Sequence, residues 1–412
     1  MSDWLANAIQ GSLTALSALK AADLWLWFSI LVSGILLIQF ILNLLLLPRL
    51  RPKARSVATP SVSVLVPARN EAPRIRACLE SLIAQNYPSL EIVLLDDESQ
   101  DATPEIVRSL GFSTDPGSNR RLLTGEPLPL GWTGKSWACQ QLADGARGEY
   151  LLFTDADTVH QPETVSSAVA AAQQFRADLL TLWPYQTTVT WVESLVIPLL
   201  FVVAGSYLPH WLLIWAQRVP WLARVLGRRF LGRCSTASGQ FLLFRRDSYL
   251  KIGGHRAVGE HLVEDVALAR EVGKRIPDGW RLISCDGTRL VSCRMYSSIR
   301  DIWEGFTKNL WPVFDGDWVG FWFAVLWQFL VCVLPFLVLP FWPRPELYLV
   351  IGVILCLRVV AAFRFNTSWI SVCFHPIGYS LALLIAANSF RRAKGKGVIW
   401  KDRIYRDQAL PR

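Results

Sequence analysis

Apolar and polar positions along this chain change rhythm several times. Leu24 to Leu47 is nearly unbroken apolar sequence, broken by isolated polar residues such as Ser33, Gln39 and Asn43. It is long enough to cross a hydrocarbon core about 30 Å thick. From Ser61 the period shortens. Val62-Ser63-Val64-Leu65-Val66 alternates and then turns apolar, which predicts a strand ending at Pro67. Ile75, Leu79, Leu82 and Ile83 then fall at helical spacing across residues 72–85. Glu91–Leu95 predicts a second strand, running into Asp96-Asp97-Glu98-Ser99-Gln100-Asp101, with a short helix over 103–110. Leu151-Leu152-Phe153 predicts a buried strand that stops at Thr154-Asp155-Ala156-Asp157. Strand, polar turn and helix in repetition imply an open parallel α/β sheet, which binds ligands at the carboxyl ends of its strands.

Further along, Pro184–Trp221 is aromatic and aliphatic but interrupted by Pro198, Pro209, His210 and Gln217-Arg218. That pattern fits helices lying in a membrane interface better than one clean span. Three more apolar segments follow, Trp318–Trp342, Leu347–Phe363 and Trp369–Phe390. Arg358 makes the second of them unconventional, because a charge at that depth needs a partner. The implied organisation of the 412 residues is an amino-terminal segment (1–23), a transmembrane helix (24–47), a catalytic domain (56–311) with interfacial helices at about 184–221, carboxyl-terminal transmembrane segments (318–390) and a basic tail (391–412).

The first apolar run is too long for a signal-peptide core and is followed by Arg49–Arg55 instead of a small-residue cleavage site. By the positive-inside rule that cluster is a cytoplasmic flank, placing the domain in the cytoplasm of a multi-pass protein of the cell (inner) membrane. The formal charge of +9 resides largely in this cluster and in Arg391-Arg392-Ala393-Lys394-Gly395-Lys396. Such juxtamembrane clusters favour anionic headgroups, not nucleic acid. Three late crossings would put the tail outside, in conflict with its positive charge. The eight cysteines are scattered without metal-ligand spacing and read as apolar fillers of a reducing compartment.

Asp155 and Asp157, one residue apart beyond a strand, are suited to a hard divalent cation, Mg²⁺ or Mn²⁺, bridging carboxylates to substrate phosphates. Gly131-Trp132-Thr133-Gly134-Lys135 is a loop whose glycines admit close approach of phosphate oxygens and whose Lys135 supplies a point charge; its spacing is not that of a Walker loop. Glu264 and Asp265 open a helix-like run. They are either ordinary N-terminal helix acids or a general base.

Val66-Pro67-Ala68-Arg69-Asn70-Glu71, the acidic run Asp96–Asp101 and Thr154-Asp155-Ala156-Asp157 resemble the three donor-binding signatures of family 2 glycosyltransferases. Gly131–Cys139, Gly253-Gly254-His255, Arg294-Met295-Tyr296, Trp303–Asn309 and Val398–Tyr405 are similar to the membrane-bound carotenoid glycosyltransferases of the diaponeurosporenoate type. Hopanoid-associated and ceramide glucosyltransferases share much of the pattern. The resemblance spans about 61–405. It implies a GT-A fold, the Rossmann-like α/β fold of nucleotide-diphospho-sugar transferases, between amino- and carboxyl-terminal transmembrane helices.

It also implies inverting transfer of a hexose from a nucleotide-diphosphate sugar, a UDP-sugar foremost, to an apolar membrane acceptor, a carotenoid first. Hopanoid, ceramide or diacylglycerol acceptors, or a processive polysaccharide synthase, are the alternatives. The implied donor-binding residues are Pro67, Arg69, Glu71, Asp96, Asp97, Gly134, Lys135, Asp155, Gly239 and Gln240. Asp97 accepts the base N–H, with Asp96 either sharing that role or capping the turn. Asp155 and Asp157 hold the metal, Asp265 is the base with Glu264 as its substitute, and His255, Trp303 and Lys308 approach the acceptor. Two departures matter. The pair Glu264-Asp265 stands where the carotenoid enzymes keep only the glutamate, and Arg300-Asp301-Ile302-Trp303 is only a loose relative of the processive Q-x-x-R-W motif. A transporter is disfavoured because every chemical motif lies in the 56–311 domain, and a dead scaffold because Asp155, Asp157 and Asp265 are intact.

Overall fold

The apolar runs become strands, as their periodicity requires. The computed structural model describes residues 2–51, 59–395, 397–401 and 403–405. Residues 52–55 of the first basic cluster and Lys396 lie outside them. The strands are β1 (Val62–Ala68), β2 (Leu90–Asp96), β3 (Arg120–Thr124), β4 (Tyr150–Phe153), β5 (Thr158–His160), β6 (Leu179–Trp183), β7 (Tyr185–Gln186), β8 (Leu242–Arg245), β9 (Leu282–Asp286), β10 (Val291–Cys293), β11 (Val398–Trp400) and β12 (Arg403–Tyr405). Seven form the main sheet in the order β3-β2-β1-β4-β8-β6-β9. The all-parallel expectation is corrected: β8 runs antiparallel to both β4 and β6, so the sheet is mixed. The expected break at Pro67 is corrected too. β1 continues to Ala68, and its ladder with β4 stops at Leu65, so the nitrogen that proline leaves without a hydrogen faces no partner strand there.

Alternation along β1 divides two cores. Val62, Val64 and Val66 point to the face covered by helices Ile75–Ile83 and Thr164–Phe175; Leu65 points to the face covered by Gly134–Gly145 and Glu264–Gly273. Each fully buried aliphatic contributes roughly 1.5–3 kcal/mol. Both faces are therefore sealed, and the sheet's free surface is the edge where the strands end. A small sheet, β5-β10-β7, sits beyond β4 and pairs Thr158 with Cys293.

One helix runs Ser2–Leu46, merging the expected amino-terminal segment with the first span. Among the described residues three helices are long and apolar enough to cross a membrane: Lys20–Leu46, Trp318–Val338 and Pro345–Phe365. Trp191–Tyr207 and His210–Arg218 form a pair bent by 44°. The polar residues of the first span serve that break. Asn43 donates to Gly205 O at 2.7 Å and Leu208 O at 2.8 Å and accepts from Trp211 N at 2.9 Å, while Gln39 donates to Ser206 O at 2.7 Å. Backbone freed by a helix break in apolar surroundings requires such partners.

A further crossing is expected over 369–390. Helix His375–Lys394 is not among those apolar enough to span. It is tied instead to the helix Ile299–Asn309, with Asn388 donating to the Thr307 hydroxyl at 2.9 Å and Ser389 to the Thr307 carbonyl at 2.6 Å. Arg358 finds its partner in Ser371, donating to its carbonyl at 2.8 Å and to its hydroxyl.

Anchor and domain meet at Asp286. Its backbone N–H donates to Pro48 O at 2.8 Å and its carbonyl accepts from Leu50 N at 3.2 Å, adding the chain after the first span to the edge of β9. Its carboxylate, 6% exposed, binds Arg364 of the third span and lies 3.8 Å from Arg49. Removing one member of a buried pair strands the other charge. Asp286→Ala is therefore expected to cost about 3–5 kcal/mol, read as a fall in the thermal midpoint of the detergent-solubilised protein. Arg49→Ala should cost under about 1 kcal/mol, since that side chain is mostly exposed. Equal losses in the two variants would show that the Arg364 pair does not hold the junction.

Candidate active site

β2, β1 and β4 are parallel neighbours, so Asp96-Asp97-Glu98, Arg69-Asn70-Glu71 and Thr154-Asp155-Ala156-Asp157 emerge side by side on one edge. Two helix starts face them, Gly134-Lys135 and Glu264-Asp265. Lys135 joins the two groups: its Nζ is 2.7 Å from Asp155 Oδ1 and 2.8 Å from Glu264 Oε1. Burial works against its charge, but Asp155, Glu264 and Asp265 outweigh it and hold Lys135 well above the ordinary lysine range.

The two acids of the helix start are differentiated. Burial pushes Glu264 up, yet Lys135 and Lys308 overcome it and hold Glu264 below the ordinary glutamate value. Asp265 is raised to about 6, by burial first and then by the negative charge of Glu264. Its Oδ2 accepts from Gly239 N at 2.6 Å and its Oδ1 from Val266 N at 2.8 Å. The approach to Gly239 is close: a Cβ would lie 3.1 Å from both Asp265 Oδ2 and Lys135 Nζ, so those groups would have to shift by a few tenths of an ångström. The surroundings thus make Glu264 the stronger acid of the two and Asp265 the weaker.

Asp155 and Asp157 lie beyond β4 in the turn to β5, not on the strand itself. Asp157 is pushed up to about 7 by burial first and then by Asp155 and Glu71. Its Oδ1 is buried with no hydrogen-bond donor. An orphaned carboxylate oxygen beside a second carboxylate fits a divalent cation, which would let both ionise at neutral pH. Among the described residues no set of three protein ligands forms, so these two would share the ion with diphosphate oxygens.

The remaining candidates sort by placement. Arg69 donates to Asp97 O at 2.7 Å and pairs with Glu98 at 3.2 Å. Glu71 binds Lys401 Nζ at 2.8 Å. Asp96 accepts from Ser99 N at 3.4 Å and caps its turn, whereas the Asp97 carboxylate lies at the edge itself, forked by Arg403. Pro67 is the penultimate residue of β1, half-buried. Gln240 is turned away from the edge. Its amide nitrogen contacts Cys293 Sγ at 3.0 Å, its amide oxygen accepts from Gln186 at 2.8 Å, and 5% of it is exposed, which corrects the donor-sugar assignment. His255 is corrected likewise. Its ring is 1% exposed, Nδ1 pairs with the Tyr249 hydroxyl at 2.8 Å, and burial lowers it to about 3, so it offers an acceptor no surface. Trp303 packs among Leu195, Val196 and Tyr296 beside the interfacial helices. Lys308 reaches the field of Glu264, Asp155 and Asp265, and burial lowers it.

Sequence reasoning missed Arg403 and Tyr405. Gly134 does admit a close approach, but by Arg403: a Cβ there would be 1.9 Å from Nη1. The tail motif Val398–Tyr405 was the only signal, and it does not say where the chain returns.

A sequence model of the family "Glycosyl transferase family 2" matches residues 63–252. The chain is 28% identical over 264 residues to a 4,4'-diaponeurosporenoate glycosyltransferase of Staphylococcus haemolyticus, an alignment covering 63% of each protein. It is 26% identical over 294 residues to the enzyme of that name from Staphylococcus aureus, covering 69% of this chain and 70% of the relative. In structure it resembles a mannosyltransferase from Pyrobaculum calidifontis, solved with GDP-Man and Mn²⁺, at TM-score 0.50 and 18% identity over 88% of this chain and 97% of that one. The main sheet with its polar edge is accordingly a GT-A-like fold, and its residues 63–252 are similar to the family 2 glycosyltransferases.

Proposed function

We propose that the protein transfers a hexose from a nucleotide-diphosphate sugar, a UDP-sugar, to an apolar acceptor in the membrane, a carotenoid, with inversion at the anomeric carbon. The domain is proposed to face the cytoplasm. The observation that carries the reading is the division of labour between adjacent acids, with Glu264 locked to Lys135 and Asp265 poised near pH 6. Asp265 takes the proton of the acceptor oxygen as that oxygen attacks, and an environment that raises its affinity for a proton suits it to the task. Lys135 draws negative charge towards the junction of the two helix starts, beside Asp155. The neighbouring carboxylate, Glu264, is held by Lys135, which supports direct displacement with Asp265 as base over a two-step, retaining route. Asp155 and Asp157 would hold Mg²⁺ or Mn²⁺, which when bound neutralises the leaving diphosphate.

The acceptor class is supported by position. Trp303 and Lys308 stand on one helix, Ile299–Asn309, which packs against the interfacial segment containing Leu195 and Val196 and lies next to helix His375–Lys394. In this reading a bilayer-resident acceptor approaches the acids along that helix. Pigment and lipid profiling of a deletion strain tests this. A carotenoid glycoside should disappear and its free aglycone accumulate. Unchanged pigments with a missing hopanoid, ceramide or diacylglycerol glycoside would overturn the carotenoid assignment and leave hexosyl transfer standing.

A further inference from the structure

The turn that carries Asp155 and Asp157 rests on a layer of buried polar side chains. The Thr158 hydroxyl donates to Asp155 O at 2.7 Å and the Thr154 hydroxyl to Gln240 O at 2.8 Å, so both ends of the turn are fastened. The two hydroxyls lie 2.9 Å apart, and His160 Nε2 sits 3.2 Å from Thr154 and 2.9 Å from Thr158. Cys293 of β10 pairs in register with Thr158 of β5, and its thiol is hydrogen-bonded to the Asp157 carboxylate. Thr154, Thr158, His160, Gln240 and Cys293 are all buried, so water does not compete for these bonds.

The bonds of this layer have a direction. Gln186 Nε2 donates to Gln240 Oε1 at 2.8 Å, which leaves the Gln240 amide with its nitrogen towards Cys293, and that nitrogen donates to Sγ at 3.0 Å. A sulfur that accepts from Gln240 turns its own hydrogen elsewhere, and the Asp157 carboxylate is the acceptor it meets. An ionised carboxylate only accepts, so the thiol is the donor of that bond. Asp157 Oδ1 has no donor and remains for the ion. Because a thiol donates weakly, it orients the carboxylate while withdrawing little of its charge. Carboxylates that ligate metals are held by outer partners of this kind, and losing one costs about 10–100-fold in metal affinity.

We propose that Cys293 is a positioning residue for the divalent ion: backed by Gln240, and through it by Gln186, it holds the Asp157 carboxylate in its ligating orientation. The assignment rests on the metal reading given above. Gln240 then acts through Cys293 and never touches the sugar. A contact to the sugar would change affinity for a nucleotide sugar relative to the bare nucleoside diphosphate. A prop behind Asp157 changes affinity for the ion and treats the two nucleotides alike.

The test is Mn²⁺ binding to the full chain in detergent at saturating UDP, followed by electron paramagnetic resonance as loss of the free-ion signal, with no turnover involved. Cys293→Ala should weaken Mn²⁺ binding by about 10–100-fold. Cys293→Ser keeps a donor in place and should recover most of the affinity. Gln240→Leu removes the group that turns the thiol; it should weaken Mn²⁺ binding by less than Cys293→Ala does, and equally with UDP or a UDP-sugar bound. Thermal midpoints without metal identify a misfolded variant, and Cys293→Ser and Gln240→Leu carry the test if Cys293→Ala is one. Mn²⁺ affinity unchanged in Cys293→Ala and Gln240→Leu would overturn the proposal and leave the metal site standing. So would a Cys293→Ser variant that folds and binds as weakly as Cys293→Ala, or a Gln240→Leu variant that keeps Mn²⁺ and loses affinity for the UDP-sugar alone. Wild-type protein that binds no Mn²⁺ would overturn the metal reading itself, and this inference with it.

Discussion

Asp265→Asn is expected to lower the rate of transfer by about 10²–10⁴-fold while donor affinity stays within a few-fold, because the proton is taken only in the chemical step. The wild-type rate should also follow pH in one direction. Asp265 acts as a base only when ionised, and burial with the neighbouring Glu264 raises it to about 6. Below that value the rate should fall about tenfold per pH unit, and above it level off. Glu264→Gln makes the sharper control. It deletes the negative charge that lifts Asp265, so the acid limb should move to lower pH while transfer survives at higher pH. Rates measured from pH 4.5 to 8 with saturating donor decide the matter. If Glu264→Gln abolishes transfer and Asp265→Asn does not, the roles of the two acids are reversed.

Asp157→Asn is expected to abolish the response to divalent cation. In the wild type, chelation should reduce nucleoside diphosphate release from a nucleotide sugar by at least about 10²-fold, and Mg²⁺ or Mn²⁺ should restore it. In Asp157→Asn, and in Asp155→Ala, the low rate should persist at any metal concentration. The effect is expected to be large because the Asp157 oxygen has no donor within the protein and its burial leaves water little access. Asp155→Ala also releases Lys135 from one of its two carboxylates, so it should disturb donor binding more than Asp157→Asn does. Wild-type release that continues undiminished after exhaustive chelation would remove the metal from the site.

Much of the site was legible because it sits where a periodic pattern stops. Val62–Val66, Glu91–Leu95 and Leu151–Phe153 each end in acids or polar turns, and parallel pairing alone brings those ends together. Strand direction was not legible. Phe241-Leu242-Leu243-Phe244 is apolar throughout, and nothing in such a run states that β8 enters the sheet antiparallel. Gln240 and His255 misled for a related reason. Both follow glycine near the right motifs, but whether a polar side chain faces the edge or the core depends on packing that pattern does not encode; Cys293 and Tyr249 claim them. The roles of Gln39 and Asn43 were hidden for the same cause, since their partners lie more than 160 residues away.

The carboxyl-terminal hairpin has a consequence for how the chain threads the bilayer and for the order in which it is completed. The polypeptide leaves the domain after Asn309 and rejoins that domain at Val398, which closes a circuit on one side of any membrane around its helices. Two candidate spans, Trp318–Val338 and Pro345–Phe365, lie within that circuit, and an even number of crossings is what such a return requires of them. Synthesis runs the other way from use. The strands that begin the polar edge emerge early, but the hairpin that ties their ends to Gly134 is made only after Trp318–Val338 and Pro345–Phe365, so a nascent chain holds the sheet long before it holds that tie.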